Sequence, residues 1–336
     1  VDSAGVQSNA ASEVKGISND GRYVLFESTA SNLVANDTNN KSDVFVHDRQ
    51  TAQTIRVSVG AGGVEGNAES YSPSISGDGQ RVVFLSKAKN LNVADTNYVE
   101  DVFLRDLSTN ITSLVNVRNG GGLALGPIGS TSTPTISNNG RYVAFNWYAS
   151  DLVAGDTNGD YDVFVRDLQT NTNQLISFTS TGAQRPYSES TWYTQAFVSD
   201  DGQFAMFGTF VNGFVPTDAN NKHDVFLRDT QANTTSSVTF GNIGTAMLGA
   251  FGYSHHAVVS GDGRYVVFAS TSPSLTPNGA PECFLFVYDN QTGTTTLASV
   301  NDTGQPQHFR DSNCFNSVIF DGGVDLSDDG RYLVFV

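Results

Sequence analysis

The 336-residue chain has 34 acidic and 18 basic residues, a formal net charge of −16, and 38% hydrophobic residues. This composition can bury a core and excludes a compositionally disordered chain. The acidic excess repels phosphate backbones and anionic lipid, so no nucleic-acid partner is expected. Two cysteines exclude a disulfide-rich scaffold and a cysteine-rich zinc site, and no apolar run is long enough to predict a membrane span.

Six copies of one turn signature divide the chain into repeats. In chain order they read SNDGRYVLF, SGDGQRVVF, SNNGRYVAF, SDDGQFAMF, SGDGRYVVF and SDDGRYLVF, with glycines at Gly21, Gly79, Gly140, Gly202, Gly263 and Gly330. An Asp-Gly or Asn-Gly pair between two strand-like runs predicts a hairpin, because glycine tolerates a positive φ.

Each complete repeat predicts four strands. In the second repeat these are YSPSIS before the turn, RVVFLS after it, DVFLRD after an acidic loop, and TSLVNV after a polar turn. No helical periodicity is visible, and repeated four-stranded units are typical of propeller blades. We therefore predict an all-β, six-bladed β-propeller of four-stranded antiparallel blades as a single domain, 1–336. Its units span about 1–60, 61–120, 121–180, 181–241, 242–300 and 301–336.

The repeat resembles the TolB-type propeller repeat of bacterial envelope and secreted proteins. The resemblance rests on the P-x-I-S-x-D-G-R-Y-V-x-F turn, the D-V-F-V-x-D strand and a Thr-rich strand, and it covers nearly the whole chain. It implies a secreted, extracellular or periplasmic scaffold. Since this fold serves diverse roles, the resemblance indicates the fold better than the function.

The sixth repeat is expected to be an incomplete blade. It ends at RYLVFV, Arg331 to Val336, without a third or fourth strand. An open strand edge favours association. We expect a strand from elsewhere in a longer polypeptide, or from another chain, to pair with it.

Four acidic loops precede the third strands of the first four repeats: DTNNKSD, DTNYVED, DTNGDYD and DANNKHD. Carboxylates and amides at alternate positions are the hard oxygen ligands that Ca²⁺ prefers. The predicted ligands are Asp37, Asn39, Asp43, Asp95, Asn97, Asp101, Asp156, Asn158, Asp160, Asp162, Asp218, Asn220 and Asp224. The alternative is a polar connection of Asx-turns, in which Asp and Asn bond their own backbone.

The fifth repeat departs from this pattern, because Phe284 replaces the last aspartate, and no metal is expected there. Cys283 and Cys314 lie in the two divergent repeats. In an oxidising compartment we expect them to form a disulfide.

Other polar and aromatic residues suggest alternatives. The aspartate ending each third strand recurs five times, which favours a structural turn over catalysis; these residues are Asp48, Asp106, Asp167, Asp229 and Asp289. His255 and His256 are adjacent in a predicted strand and would point to opposite faces. An aromatic group in the third and fourth repeats could stack on sugars or pack the blades; it comprises Trp147, Tyr148, Tyr187, Trp192 and Tyr193.

No catalytic motif is present, so no catalytic residue is assigned. The sequence favours a calcium-stabilised structural or protein-interaction module that associates through its open blade. A polysaccharide-binding protein, or a non-catalytic propeller domain of a secreted hydrolase, is the second interpretation, and an enzyme is the third.

Overall fold

The computed structural model describes residues 1–124, 133–185, 193–216, 218, 222–239, 257–271, 275, 283–307 and 324–335. Several residues of the sequence analysis lie outside this described part: Tyr187, Trp192, Asn220, His255, His256, Cys314 and Val336. The chain divides into two compact units, Val1–Gln174 and Leu175–Val336. The prediction of one propeller domain spanning both units stays a prediction.

The described residues form strands with a single short 3-10 turn, Ala61–Gly63. The first sheet contains β1 (Ser12–Ile17), β2 (Tyr23–Ser28), β3 (Asp43–Asp48) and β4 (Gln53–Arg56). The second contains β5 (Ser70–Ile75), β6 (Arg81–Ser86), β7 (Asp101–Asp106) and β8 (Ile111–Leu114). The third contains β9 (Thr135–Ile136), β10 (Tyr142–Tyr148), β11 (Tyr161–Asp167) and β12 (Thr172–Leu175).

The remaining sheets follow the same plan. The fourth contains β13 (Phe197–Val198), β14 (Phe204–Thr209), β15 (Asp224–Asp229) and β16 (Thr234–Ser237). The fifth contains β17 (Ala257–Val259), β18 (Tyr265–Ser270), β19 (Phe284–Asp289) and β20 (Thr294–Leu297). The sixth repeat contributes two strands within the described residues, β21 (Val324–Leu326) and β22 (Leu333–Phe335).

Each four-stranded sheet is an antiparallel meander whose strands pair in chain order. Five such sheets and one two-stranded sheet in the described residues, with almost no helix, confirm the predicted all-β propeller architecture.

The Ser-x-Asp-Gly sequence explains the turn between the first two strands of a blade. In the first blade, Ser18 Oγ donates to Asp20 Oδ1 at 2.6 Å, and the Arg22 amide donates to the same oxygen at 2.9 Å. Gly21 adopts a φ of 71°, a conformation that side-chain-bearing residues rarely accept. The same Ser–Asp hydrogen bond recurs in the second, fourth, fifth and sixth repeats.

Phenylalanine pairs form the centre of each blade. The second strand places one ring directly opposite a ring of the third strand, as in Phe26 opposite Phe45 and Phe84 opposite Phe103. Their centroids lie 5.5 Å and 5.9 Å apart, a separation typical of stacked aromatic pairs. Burial of these rings fixes the register that brings the acidic loops to the same end of every blade.

The hairpin turns also join consecutive blades within each unit. In the first unit, the Asn19 amide donates to the Gly77 carbonyl at 2.8 Å, and the Gly77 amide donates to the Asn138 carbonyl at 2.7 Å. In the second unit, Asp200 and Gly261 are linked in the same way at 2.8 Å. The repeated turn therefore defines both the hairpin and the spacing to the next blade.

The two-stranded sheet of the sixth repeat carries exposed apolar side chains. Tyr332, Val334 and Phe335 are 64%, 66% and 40% exposed. In the described residues, no helix has both the length and the hydropathy of a membrane-crossing segment.

Candidate metal sites in the acidic loops

The acidic loops join the second and third strands of the first four blades. Their last aspartate stands at or next to the start of the third strand, and its side chain is at most 3% exposed; these residues are Asp43, Asp101, Asp162 and Asp224. The first aspartate of the loop is also buried in the third and fourth blades, where Asp156 and Asp218 are 7% and 5% exposed. Ordinary polar turns leave carboxylates in water, so this burial requires compensation.

The second loop holds two buried carboxylate oxygens that lack an N–H or hydroxyl donor. Asp101 Oδ1 accepts hydrogen bonds from Asn97 Nδ2 at 3.0 Å and Asn116 Nδ2 at 2.5 Å. Asp101 Oδ2 and Asp95 Oδ1 are buried and accept no hydrogen bond from an N–H or hydroxyl group of any residue that the structure describes. The two carboxyl groups can instead share one proton with each other, a contact that, after the effect of burial, raises the pKa of Asp101 further and lowers that of Asp95. When both groups are ionised, these oxygens without a donor point to a cation.

The pKa values in this loop reflect the same burial. Burial raises the pKa of Asp101 to about 6, although hydrogen bonds from Asn116 and Asn97 lower it and the charge of Asp95 raises it further. Burial also raises the pKa of Asp95. Two buried carboxylates close to one another are both ionised at neutral pH only when a positive charge binds between them.

The fourth loop repeats this arrangement in part. Asp218 Oδ2 accepts the Gly213 amide at 3.0 Å, whereas Asp218 Oδ1 is buried without a partner among the described residues. Burial, and then the charge of Asp224, raises the pKa of Asp218 to about 6. Asn220, the other predicted ligand here, lies outside the described residues.

The third loop has three aspartates, more than any of the other acidic loops. Asp156, Asp160 and Asp162 are 7%, 6% and 1% exposed, so three acidic side chains are buried in one short loop. The predicted carboxylates thus turn inward here as they do in the second and fourth loops.

The asparagine at the third loop position makes the hydrogen bond of the Asx-turn interpretation, and its predicted role as a metal ligand stays a prediction. Its amide oxygen accepts the backbone amide two residues later, at 2.7 Å for Asn39, 3.1 Å for Asn97 and 3.1 Å for Asn158. Its Nδ2 group donates to the last aspartate in the first two loops, at 3.0 Å in each. These hydrogen bonds are those of the Asx-turns in the alternative interpretation. In the first two loops the asparagine also holds the carboxylate of the last aspartate in place through its Nδ2 group.

The first loop contains a cation of its own. Oxygens of Asp37, Asp43 and Glu65 lie within 4.8 Å of one another, a spacing that could hold a metal ion. The Arg56 guanidinium lies among them, with Nη1 2.5 Å from Glu65, 3.3 Å from Asp43 and 3.6 Å from Asp37. Glu65 also accepts the amide and hydroxyl of Thr38, at 2.9 Å and 2.7 Å, and so ties the loop to the next strand connection.

Sequence analysis missed a polar residue that lies two positions after the fourth strand and supports the loop in the first, second and fourth blades. Ser58 Oγ donates to Asp43 Oδ1 at 2.6 Å, and Thr239 Oγ1 donates to Asp224 Oδ1 at 2.7 Å, as Asn116 does to Asp101. Each of these residues follows its aspartate by fifteen positions. That recurrence was the available signal, but it becomes meaningful only once the strands are paired.

The donors of the second and fourth loops fit a hard divalent cation. They are carboxylate oxygens, with backbone carbonyls nearby, and no sulfur ligand is present. In the fifth blade Phe284 is 2% exposed and takes the aspartate position, as expected for a loop without a metal. The absence of a metal there stays a prediction, since residues 276–282 lie outside the described part.

The recurring aspartate at the end of the third strand is a structural clamp. Arg22 Nε and Nη2 donate to the two oxygens of Asp48 at 2.9 Å and 2.6 Å. Arg141 and Asp167 form the same pair at 3.0 Å and 2.7 Å. The charge-assisted hydrogen bonds lower the pKa of Asp167 to about 2. The interpretation of these aspartates as turn residues therefore agrees with their contacts.

Two members of the aromatic group pack in the core and not on the surface. Trp147 and Tyr193 are 0% and 4% exposed, which excludes them as a stacking platform for sugars in this conformation. Tyr148 packs edge-to-face against Tyr161 at 5.2 Å.

Cys283 is disulfide-bonded and fully buried. Its predicted partner Cys314 lies outside the described residues, so titration of thiols in the denatured, unreduced protein tests that pairing.

No family model and no curated protein matches the chain. Among solved structures, it resembles a prolyl endopeptidase at 13% identity and a TM-score of 0.51, over 86% of this chain and 36% of that one. It matches a TolB-type protein of Agrobacterium tumefaciens at 12% identity and a TM-score of 0.46, over 87% and 82% of the two chains. It matches an oligogalacturonate lyase in complex with manganese at 13% identity and a TM-score of 0.40, over 96% and 84%.

The propeller fold predicted from the repeat is confirmed by the four-stranded sheets, and the likeness to the prolyl endopeptidase agrees with it. At this identity the likeness concerns the fold alone, and the chain spans about a third of that enzyme.

Proposed function

We propose that this chain is an extracellular or periplasmic β-propeller stabilised by Ca²⁺ in its acidic loops, serving as a structural or protein-interaction module. The observation that carries the metal proposal is the second loop. There a fully buried carboxylate, Asp101, keeps one oxygen without an N–H or hydroxyl donor beside Asp95 Oδ1, which also lacks one. A divalent cation bound by both would neutralise the pair.

Calcium fits the donor set better than the softer transition metals. The loop offers only oxygen ligands, and flexible loops rich in carboxylates and carbonyls are typical of calcium sites. The buried disulfide at Cys283 supports an oxidising compartment, where disulfides persist. These two features together support a location outside the cytoplasm.

The proposed module role includes association through the sixth repeat, the expectation drawn from its sequence. A strand edge can pair with a strand of a protein partner or of a second copy. Sedimentation of the calcium-loaded protein tests self-association: a mass that grows with concentration supports it, and one monomeric species over the whole range contradicts it.

The metal proposal is tested by thermal unfolding with calcium and with excess chelator. A ligand that binds only the native state stabilises it by about 2.7 kcal/mol at a hundredfold excess over Kd, so the wild-type melting temperature should fall in chelator and recover with calcium. Asp101→Asn should shrink this calcium-dependent difference, because it removes one ligand charge while preserving the hydrogen bonds of the loop.

Asp106→Asn is the matched control, because Asp106 belongs to the turn clamp of the same blade and pairs with Arg81 at 3.3 Å. It should lower the melting temperature equally in calcium and in chelator. A wild-type melting temperature that ignores chelator, in protein free of bound metal by elemental analysis, would overturn the proposal.

A further inference from the structure

The first and second blades have different residues at the equivalent position beside the acidic loop. Arg56 in β4 pairs with Phe45, and Leu114 in β8 pairs with Phe103, so the two side chains stand at equivalent positions of their sheets. Glu65 bridges to Val59 as Leu123 bridges to Val117. An Arg–Glu pair in the first blade is therefore replaced by two leucines in the second.

The guanidinium of Arg56 lies where the loop carboxylates of the first blade converge. Its side chain is 6% exposed, and Nη1 contacts one oxygen each of Asp37, Asp43 and Glu65 at 3.6 Å or less. Nη2 donates to the Asn36 carbonyl at 3.0 Å. Calcium would need these oxygens at about 2.3–2.6 Å, and an ion placed there would overlap and repel the guanidinium.

The second blade offers no such group at this position. Leu114 is 9% exposed and packs in the core of the first unit. Asp95 Oδ1 and Asp101 Oδ2 remain without an N–H or hydroxyl donor in the described residues. By the same spacing from the last aspartate, the third repeat has Leu175 and Gln184 in the sequence.

We propose that Arg56 is a built-in substitute for the calcium ion, so that the first loop binds no metal while its sister loops do. Only the statement that the sister loops bind metal rests on the proposed function. Arg56 thus sets which of the similar loops can bind a metal, and its removal would open a site of three carboxylates.

Calorimetric titration with calcium tests this directly through the number of ions bound per chain. Arg56→Leu, which copies the residue of the second blade, should bind one more ion than the wild type. Arg56→Lys keeps a positive charge among the carboxylates and should bind the wild-type number. Arg22→Leu, which removes a guanidinium from the Asp48 clamp, is the control and should also leave the number unchanged.

The reverse exchange, Leu114→Arg with Leu123→Glu, should bind one ion fewer, and it keeps the proposal testable if Arg56→Leu does not fold. A folded Arg56→Leu protein that binds the wild-type number of ions would overturn the proposal, and so would a folded reverse variant that loses no ion although the wild type binds some. A wild type that binds no ion, together with an Arg56→Leu protein that binds one, would uphold Arg56 as the substitute and reject the proposed calcium sites.

Discussion

A carboxylate buried as completely as that of Asp101 must be neutralised by hydrogen bonds, by a proton or by a cation. The acidic loops show the first means directly, and a bound cation in the second and fourth loops is what we propose. Asn97 and Asn116 supply hydrogen bonds to one oxygen of Asp101, and the other oxygen is left for a cation or a proton. In the first blade, Arg56 supplies the charge internally.

This arrangement predicts an unusual dependence of stability on pH in the absence of metal. Asp101 and Asp218 have pKa values raised to about 6, above the unfolded value of about 3.9. Their protonated forms favour the native state. The stabilisation is therefore complete below pH 4 and is lost as the pH rises through about 6. In chelator, we expect the free energy of unfolding to fall over this interval by up to about 3 kcal/mol for each of the two groups.

Denaturant titrations at several pH values, in chelator and in calcium, measure this fall. Calcium should suppress it, and Asp101→Asn should reduce it without removing it, because Asp218 still titrates. The turn clamps act in another interval, because the pKa of Asp106 and of Asp167 is lowered to about 2, so that their contribution is lost only as the pH falls below about 4. Stability in chelator that is flat between pH 4 and 7 would contradict this account of the loops.

In the second and fifth blades, the hairpin turn between the first two strands contacts an aromatic side chain of the preceding blade. Gly263 has a φ of 70°, and a Cβ there would lie 2.2 Å from Cδ2 of Phe204 in the preceding blade. Tyr23 lies equally close to Gly79 in the first unit. The glycine is thus required twice, once by its own backbone and once by the aromatic ring from the adjacent blade.

A pair of glycine substitutions separates these two requirements. Gly182 has a φ of 78° but its nearest neighbour is 4.0 Å away, so Gly182→Ala should cost only the backbone strain, about 1–2 kcal/mol. Gly263→Ala should cost about 2 kcal/mol more, because Phe204 must also move. Equilibrium unfolding in denaturant measures both changes, and equal losses would show that the contact between blades contributes little.

Features set by neighbouring residues could be predicted from the sequence, whereas features set by strand pairing could not. The Asp-Gly turns, the strands that follow them and the turn role of Asp48 and its equivalents are local features, and all were predictable. The inward direction of the first and last loop aspartates also followed from the alternating pattern. The role of Arg56 did not, because it depends on the pairing of β4 with β3 and on a strand connection that brings Glu65 close. The sequence left the role of the asparagines open between a ligand and an Asx-turn, because the loop backbone, and not the residue type, decides which atom of the amide points inward.

At the scale of the whole molecule, repetition of the acidic loop would add the stability gained from metal binding several times over. Each loop that binds an ion adds its own increment of stability, and increments at well-separated sites are roughly additive. The net charge of −16 raises the local concentration of cations and so favours occupancy. Within each of the two compact units, the turn-to-turn hydrogen bonds connect neighbouring blades.

The central claim is that the second loop holds a cation between Asp95 and Asp101. Anomalous diffraction from crystals grown with calcium measures this most directly, with crystals grown in chelator for comparison. The account predicts an anomalous peak at about 2.3–2.6 Å from Asp95 Oδ1 and Asp101 Oδ2, absent in chelator, and no peak beside Arg56. Well-ordered density for both carboxylates without an anomalous peak between them would contradict it.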